Sequence, residues 1–218
     1  AVRYDQITAF QAKTDYGFDL GEQLSAQACG ELAFEIDTEI VNHLDTVAGE
    51  AHSALTFNKF KPTGISLKEH YESFANILAI GDQLIYDRTH KFAPNYLVIA
   101  SNVLPILSLI SDFKSAPRGS INGPYFAGTL QGKKVFVSPA IAPDRFLIGV
   151  NGDDMMSSVA VYAPYMAVVP TQLLGFADGA MNQGFSTLYA LATLNDLLIV
   201  AGKVTNIPEV INNKVVTA

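Results

Sequence analysis

The sequence predicts a mixed α+β fold, with helices in the first half of the chain and a sheet built around a hairpin in the second. Three observations predict it: a helical pattern that begins after Asp19, a capping box that opens at Ser66, and a hairpin at residues 128–139. The chain has 218 residues, 49% of them hydrophobic, so it is long enough to bury a substantial core as one domain or as two.

The longest predicted helix runs from its N-cap, Asp19, to Ala48. Apolar residues recur along it at every fourth position: Leu20, Leu24, Ala28, Leu32, Ile36, Ile40 and Leu44. Four residues exceed one helical turn by about 40°, so the apolar stripe winds round the helix, and we expect different neighbours to cover it along a length of about 45 Å. An ordinary long helix of a bundle remains the alternative. A coiled coil is disfavoured because the heptad spacing is absent.

The second predicted helix follows a break at Pro62 and Gly64. Ser66 and Glu69 form a capping box, in which each side chain accepts a hydrogen bond from an amide that the helix leaves unpaired. The helix is expected to end near Thr89. One broad apolar face is formed by Leu67, Tyr71, Phe74, Ile77, Leu78, Leu84 and Ile85.

A strand, a short helix and a loop are predicted to lead into the hairpin. Residues 96–100 form an apolar run typical of a buried strand, and a short helix is expected from residue 101 or 102 to residue 110. Pro105 is tolerated there because it falls in the first turn. Residues 114–124 contain several prolines and glycines and are predicted to be a loop.

The sheet is predicted from three further apolar segments. In the hairpin, glycines stand at both ends of a short turn at residues 128–132, and residues 135–137 then alternate as a strand does. Residues 145–150 form an almost continuous apolar run, which suits a strand buried on both faces. Residues 159–163 form the next strand, and Pro164 makes it an edge strand or a strand end.

Composition and charge argue against several classes of function. A net charge of −7 argues against a protein that binds the phosphates of nucleic acid, since a phosphate-binding surface needs clustered Lys and Arg. Lys133 and Lys134 are the only basic pair outside scattered positions and are interpreted as a solvated hairpin tip. No apolar stretch reaches the roughly eighteen residues that cross a bilayer, and no secretion signal is visible at the N-terminus. The lone Cys29 forms no internal disulfide and is interpreted as a small core residue.

The sequence contains no recognised catalytic or metal-binding motif. Its histidines, none of them in a metal-binding spacing, are His43, His52, His70 and His90. Nucleophile elbows and glycine-rich phosphate loops are absent. Asp153 and Asp154 follow an Asn-Gly pair and are interpreted as part of a turn. No catalytic, cofactor-binding or metal-binding residue is therefore predicted, and no cofactor.

Two groups of residues point instead to surfaces that contact other molecules. Glu31, Glu35 and Glu39 line one edge of the long helix, as in a metal-binding carboxylate bundle, but a solvated or lattice-contacting face is favoured because no Glu-x-x-His partner exists. Nine tyrosines and thirteen phenylalanines, with no tryptophan, suit large packed interfaces. The aromatic residues expected in loops are Tyr125, Phe126, Tyr165 and Phe176.

Three short motifs occur in an order that is itself informative. The first is Phe10–Lys13 leading to Gly17–Asp19 and then to Glu31–Val41. The second is Gly-x-Leu-x-Gly-x-x-Val-x-Val-x-Pro at residues 128–139, followed by residues 144–150 and by Tyr162-Ala163-Pro164-Tyr165. The third is Gly184–Leu191. Together, from about residue 10 to about residue 191, they resemble the major capsid proteins of T-even-like tailed bacteriophages.

The resemblance implies a Hong Kong 97-like capsid fold, with a long spine helix, an elongated peripheral domain and a compact axial domain. On this chain the peripheral domain would comprise residues 1–60 and 153–195, and the axial domain residues 61–152 and 196–218. In two respects the chain departs from the family's pattern: nothing before Ala1 corresponds to the extended N-terminal arm and loop, and residues 173–183 look like an atypical insertion.

The function that the resemblance implies is structural. The chain would be a subunit of an icosahedral phage capsid that self-assembles into hexamers and pentamers enclosing the genome, located in the virion and assembled in the host cytoplasm. Its expected partners are copies of itself, with scaffold, vertex or decoration proteins as further candidates. Enzyme activity, specific nucleic-acid binding and membrane association are not expected.

Two alternatives belong to other classes of protein. The first is a soluble α+β enzyme with an unrecognised site built from Asp82, Asp87, Arg88 and His90 near a helix end. A deep concave pocket with convergent titratable groups would favour that alternative. The second is the shell protein of a cellular nanocompartment with the same fold.

Overall fold

The structure, a computed structural model, describes residues 1–117, 123–176, 179–206, 209–211 and 214–216. Its α-helices are α1 (Gln6–Tyr16), α2 (Leu20–Ala48), α3 (Leu67–Glu72), α4 (Phe74–Thr89) and α5 (Leu104–Leu107). Its strands are β1 (Val2–Asp5), β2 (Thr56–Asn58), β3 (Tyr96–Ile99), β4 (Lys114–Ser115), β5 (Tyr125–Leu130), β6 (Lys133–Val137), β7 (Arg145–Gly149), β8 (Ala160–Pro170), β9 (Leu174–Gly175), β10 (Ala180–Gln183), β11 (Phe185–Thr193), β12 (Ile199–Thr205), β13 (Glu209–Ile211) and β14 (Lys214–Val216). This mixture of helices and strands confirms the predicted α+β class.

The chain divides into two compact units. The first unit comprises Ala1–Asp37 and Tyr162–Leu191, and the second comprises Thr38–Val161 and Ala192–Ala218. The first unit holds the antiparallel sheet β1-β10-β9 and most of a two-stranded ribbon formed by β8 and β11. Helix α2 contributes residues to both units.

The second unit is organised around a seven-stranded sheet in the order β2-β12-β7-β3-β6-β5-β4. The pairs β12–β2 and β3–β6 are parallel, and the other neighbours are antiparallel. Strands β3, β7 and β12 are buried over most of their length. The strands predicted at residues 96–100 and 145–150 are therefore confirmed, because unbroken apolar runs suit positions covered on both faces.

Aromatic rings fill the core of the second unit. Phe74 on α4 packs edge-to-face against Phe146 on β7 and against Phe57 on β2, with ring centroids 5.2 Å apart in both pairs. Phe74 and Phe146 are fully buried. Arg145, beside Phe146, forms an ion pair with Asp45 near the end of α2 (Nη2–Oδ1 3.0 Å), which attaches that end of the helix to the sheet.

Two glycines in this sheet make room for aromatic rings on neighbouring strands. Gly202 lies opposite Phe146 in the β12–β7 register, and Gly149 lies opposite Tyr96 in the β7–β3 register. A Cβ atom on Gly202 would overlap the Phe146 ring, and one on Gly149 would overlap the Tyr96 ring. Both glycines are therefore required by close packing.

Replacing Gly202 by alanine is expected to lower the free energy of unfolding by about 2 kcal/mol, because the added methyl group collides with a rigid, buried ring. Urea unfolding of the purified chain measures the change. Gly175→Ala is the matched control, since a Cβ there makes only an ordinary contact with Met181. Equal midpoints for the two variants would contradict this account of Gly202.

The predicted long helix is confirmed from end to end. Helix α2 begins after Asp19, whose Oδ1 accepts a hydrogen bond from the Glu22 backbone N–H at 3.2 Å, and it ends at Ala48. All seven apolar residues of the four-residue repeat are half-buried. Cys29 is exposed, so its interpretation as a core residue was wrong. The reason is geometric: Cys29 lies about 100° round the helix from Ala28, which belongs to the apolar stripe.

The predicted second helix is divided in two. The capping box is confirmed: the Ser66 N–H donates to Glu69 Oε2 at 3.0 Å, and the Glu69 N–H donates to Ser66 Oγ at 3.2 Å. The helix is interrupted at Ser73, whose hydroxyl donates to the His70 carbonyl at 2.6 Å. A serine hydroxyl competes with the backbone in this way and disturbs a helix locally. The predicted end at Thr89 is confirmed.

Two predictions around the hairpin need correction. The helix expected to reach residue 110 is only the single turn α5, and the loop expected at residues 114–124 contains the short strand β4, which pairs with β5. Residues 118–122 of that loop lie outside the described residues. The hairpin is confirmed, but its turn is narrower than predicted. Only Gln131 and Gly132 form it, both with positive φ (50° and 78°), as in the tight turns that suit twisted strands.

Lys133 does not lie at a solvated hairpin tip, as the sequence interpretation held. Its side chain is 4% exposed, and its Nζ lies 2.6 Å from Asp82 Oδ2 on α4. The cause is strand alternation, which places Lys133 on the buried face of β6 with Val135 and Val137. Lys134 points the other way and is exposed, as predicted.

Candidate assembly surfaces

The two units differ sharply in how much hydrophobic core they contain. Among the described residues, Ala12 is the only buried hydrophobic residue of the first unit, and all the others belong to the second unit. Helix α2 has 29 residues and buries none of them. Since hydrophobic burial is the main force that stabilises a fold, the second unit has a core of its own, whereas the described residues of the first unit form none.

The ribbon of β8 and β11, most of which belongs to the first unit, is incompletely covered. Its strands have 11 and 9 residues, and no residue of either is buried. Tyr162 and Tyr189 pack together with ring centroids 5.4 Å apart. By contrast, Tyr165 is 86% exposed and Leu188 is 55% exposed. A two-stranded ribbon is marginally stable in water, and its edges are open to further pairing.

Large exposed hydrophobic side chains are concentrated in the first unit. It contains less than a third of the chain but half of such residues among those that the structure describes. They are Ile7, Phe10, Tyr16, Tyr162, Tyr165, Val169, Leu173, Leu174, Phe176 and Leu188. Where exposed hydrophobic side chains lie together, they mark surfaces that bind other proteins. The first unit is therefore the candidate assembly surface.

A groove of about 470 Å³ lies beside α2 within the first unit. Its apolar wall is formed by Leu24, Ala28 and Leu32 together with Phe185. The neighbouring ridge of α2 carries Glu31 and Glu35, and Arg3 lines another wall. In the described part of the chain, the side chains of Glu31 and Glu35 are exposed and make no hydrogen bond or ion pair, as expected for a solvated or contacting face.

Asp82, Asp87, Arg88 and His90 do not form a joint site. Asp82 is engaged by Lys133, and burial raises the pKa of its carboxyl group while Lys133 lowers it. The other three side chains are exposed. Within the described residues, no hydrogen bond or ion pair joins any two of the four, so the arrangement on which the enzyme alternative depends is not present.

The remaining predicted site residues are scattered. Tyr125, Phe126 and Tyr165 lie in strands and not in loops as predicted, although Phe126 and Tyr165 are exposed. The Asp154 N–H donates to Ser157 Oγ at 3.2 Å and the Ser157 N–H donates to the Asp154 carbonyl at 3.0 Å, which agrees with the turn predicted at Asp153 and Asp154. Over the described part of the chain, no three histidine, cysteine or carboxylate side chains are grouped so as to hold a metal ion. None of its helices combines the length and apolarity of a membrane span.

Comparison with known sequences identifies relatives across most of the chain. The model of the family Major capsid protein Gp23 matches residues 8–215. The major capsid protein of Enterobacteria phage T4 is 24% identical over an alignment of 198 residues, with coverages of 81% of this chain and 38% of the phage protein. The major capsid protein of Enterobacteria phage T6 is equally similar and is covered to 39%. The chain thus spans about two fifths of the length of these relatives.

Comparison with solved structures identifies the fold. The mature capsid of bacteriophage PhiM1 contains a chain with a TM-score of 0.61 at 12% identity, covering 95% of this chain and 70% of that one. A chain of Microbacterium phage Oxtober96 gives a TM-score of 0.59 at 16% identity, with coverages of 93% and 70%. The SrpI encapsulin of Synechococcus elongatus PCC 7942 gives 0.54 at 11% identity, with coverages of 93% and 71%.

These likenesses confirm the Hong Kong 97-like capsid fold that the sequence motifs implied. At such low identities the solved structures show the fold alone, and they include both phage and encapsulin shells. The family match favours the phage proteins, because it extends over almost the whole sequence. The chain belongs to the family Major capsid protein Gp23.

Proposed function

We propose that this chain is a structural subunit of an icosahedral bacteriophage capsid, which assembles with copies of itself into hexamers and pentamers that enclose the genome. The observation that carries the proposal is the missing core of the first unit, where Ala12 is the only buried hydrophobic residue among those described. A capsid lattice would supply the missing cover, because each subunit meets several neighbours through repeated heterologous contacts.

The two units correspond to the two domains of the proposed capsid subunit. The first unit is the centre of a peripheral domain, for which the sequence motifs imply residues 1–60 and 153–195. The second unit, with its own core, is the centre of an axial domain at residues 61–152 and 196–218. In this arrangement the core-bearing unit folds by itself, and the other is stabilised by neighbouring copies.

The proposed partners and location follow from the family and the charge. The subunit resides in the virion and is assembled in the host cytoplasm, with scaffold, vertex or decoration proteins as further partners. Its net charge of −7 favours a shell that does not adhere to the enclosed genome. The subunit binds no nucleic acid specifically, inserts in no membrane, uses no cofactor and catalyses no reaction.

A nanocompartment shell is the second candidate, and the similarity to the SrpI encapsulin supports it at the level of fold. The two candidates differ in content, since a capsid encloses nucleic acid and a nanocompartment encloses protein. The family match favours the capsid.

Electron microscopy of the purified chain over a range of concentrations tests the proposal. Closed shells or rings of five and six copies are expected, in increasing proportion as concentration rises, because the uncovered apolar surface of the first unit is buried only on assembly. Nuclease treatment and protein analysis of shells isolated from expressing cells then separate a capsid from a nanocompartment. Monomers at every concentration, with no larger species, would contradict the proposal.

A further inference from the structure

The groove beside α2 combines an apolar wall with free negative charge. Leu24, Ala28 and Leu32 present a continuous apolar ridge, because residues four apart lie above one another on a helix. Glu31 and Glu35 lie on the adjacent ridge, and neither carboxylate has a partner in the described part of the chain. A matching occupant would therefore be a large apolar group flanked by positive charges.

Among the described side chains that line this groove, Arg3 is the one cation. It already has an interaction partner of its own, and neither Glu31 nor Glu35 is that partner. Arg3 therefore leaves the two carboxylates available to an incoming cation.

One segment of the sequence has the required chemistry. Lys59-Phe60-Lys61 is the only place in the chain where an aromatic residue has a lysine or arginine on both sides. Phe60 belongs to the second unit and is 65% exposed. A large exposed aromatic side chain is costly to leave in water and is the type of residue that anchors protein interfaces.

The segment is held in a defined conformation, which favours its use as a contact. The Phe60 backbone N–H donates to Asn58 Oδ1 at 3.0 Å, and Lys61 Nζ donates to the Ile65 carbonyl at 3.2 Å. The Lys59 backbone N–H donates to the Thr205 carbonyl at 3.1 Å. A loop ordered before binding loses less conformational entropy when it binds.

We propose that the Lys59-Phe60-Lys61 segment of one copy docks in the α2 groove of a second copy. Phe60 packs against the apolar wall, and the two ammonium groups pair with Glu31 and Glu35. The inference rests on the proposed self-assembly and names one of the contacts between copies that would stabilise the assembly. The aromatic side chain provides most of the binding energy, whereas the exposed ion pairs mainly fix orientation and partner.

The contact is directional, and that gives it a structural consequence. The groove lies in the first unit and the loop in the second, so each copy offers one loop and one groove to its neighbours. A heterologous contact of this kind does not stop at a dimer. It continues from copy to copy and closes into a ring if the rotation permits.

Disulfide trapping between two different chains tests the position of the contact. One chain carries Cys29→Ser and Ala28→Cys, and the other carries Cys29→Ser and Lys61→Cys, so each has a single thiol and Phe60 is kept. We expect a covalent dimer of the two chains after mild oxidation, because Lys61 follows Phe60 directly and its Cβ atom comes within disulfide range of the groove. A chain with Cys29→Ser and Lys68→Cys is the matched control, since Lys68 is also an exposed lysine of the second unit.

Charge exchange tests the recognition, with sedimentation velocity as the measurement. The variant E31K/E35K and the variant K59E/K61E are each expected to self-associate at least tenfold more weakly than the unchanged chain. Mixing the two should restore association, because the loop of the first variant matches the groove of the second. If the mixture associates as weakly as each variant alone, the proposal is overturned.

The outcomes separate this inference from the proposed function. Shells that form normally, without the disulfide-linked dimer and without rescue on mixing, would show that another segment or partner occupies the groove while the capsid function stands. A disulfide with the Lys68→Cys chain in place of the Lys61→Cys chain would have the same meaning. If the unchanged chain forms no shells and the two cysteine variants form no linked dimer, both proposals fail.

Discussion

Replacing Asp82 by leucine is expected to lower the free energy of unfolding by about 3 kcal/mol at pH 7, although Asp82 is the more exposed partner of its ion pair with Lys133. The reason is the position of Lys133, whose side chain is 4% exposed and has Asp82 as its charged partner at 2.6 Å. Removing one member of a buried pair leaves the other charge without compensation, and that loss is commonly several kcal/mol. Urea unfolding at fixed ionic strength measures it.

The converse substitution, Lys133→Met, is expected to cost less, about 2 kcal/mol at pH 7, because Asp82 is about a third exposed and water partly replaces the lost partner. Its effect should also depend on pH. Burial raises the pKa of Asp82 and Lys133 lowers it, so removing Lys133 raises that pKa further.

The sign of the pH dependence follows from that direction. A carboxyl group whose pKa is higher in the folded chain than in the unfolded chain contributes stability at low pH, and that contribution is lost as pH rises through the folded-state value. The loss in the free energy of unfolding caused by Lys133→Met should therefore be smallest near pH 4 and largest near neutral pH. Lys134 is an exposed neighbour on the same strand, so Lys134→Met is the control and should leave the free energy of unfolding almost unchanged at both pH values.

The double variant D82L/K133M completes the cycle. Two apolar side chains that replace a buried pair together are often tolerated, so the double variant should lose less stability than Asp82→Leu alone. If the two single losses simply add, Asp82 and Lys133 do not interact energetically, and the ion pair has no stabilising role.

Sequence patterns predicted the parts of the fold that local chemistry controls. The capping box at Ser66 and Glu69 and the N-cap at Asp19 satisfy amides within a few residues, so they are readable without knowledge of tertiary structure. The apolar runs that became β3 and β7 were readable for a related reason, since strands covered on both faces need no polar alternation.

Features that depend on tertiary neighbours were not predictable in the same way. The interpretation of Lys133 relied on its charge, whereas its strand alternation with Val135 and Val137 was the better guide. The break at Ser73 depends on one side-chain hydrogen bond that competes with the helix. The short strand β4 exists because β5 offers a free edge, and nothing in two residues of sequence signals that edge.

The candidate assembly surface was only partly predictable. The exposed edge formed by Glu31 and Glu35 followed from their spacing. The missing core of the first unit did not, because the seven-residue apolar stripe of α2 gives the same pattern whether a neighbouring segment or another copy covers it. Which surfaces remain uncovered is a property of the folded chain.

Introducing a single negative charge on the ribbon, by Leu188→Asp, is expected to abolish assembly while leaving the chain folded. Leu188 is 55% exposed and lies with Ser186 and Ala190 on the exposed face of β11. An exposed substitution of this kind changes the free energy of unfolding by about 0.5 kcal/mol or less. Burying the same carboxylate between two copies without a partner costs several kcal/mol.

The expected size of the effect follows from how binding energy scales. A loss of about 3 kcal/mol at one contact weakens it by roughly a hundredfold, and a lattice repeats the contact at every subunit, so shells should disappear over the whole accessible concentration range. Leu109→Asp is the matched control, because Leu109 is 42% exposed and lies in the second unit, which has its own core. Urea unfolding should place both variants close to the unchanged chain, and electron microscopy should show shells for Leu109→Asp alone. Shells from Leu188→Asp would mean that the uncovered ribbon is not a contact between copies, and the assignment of the assembly surface to the first unit would be wrong.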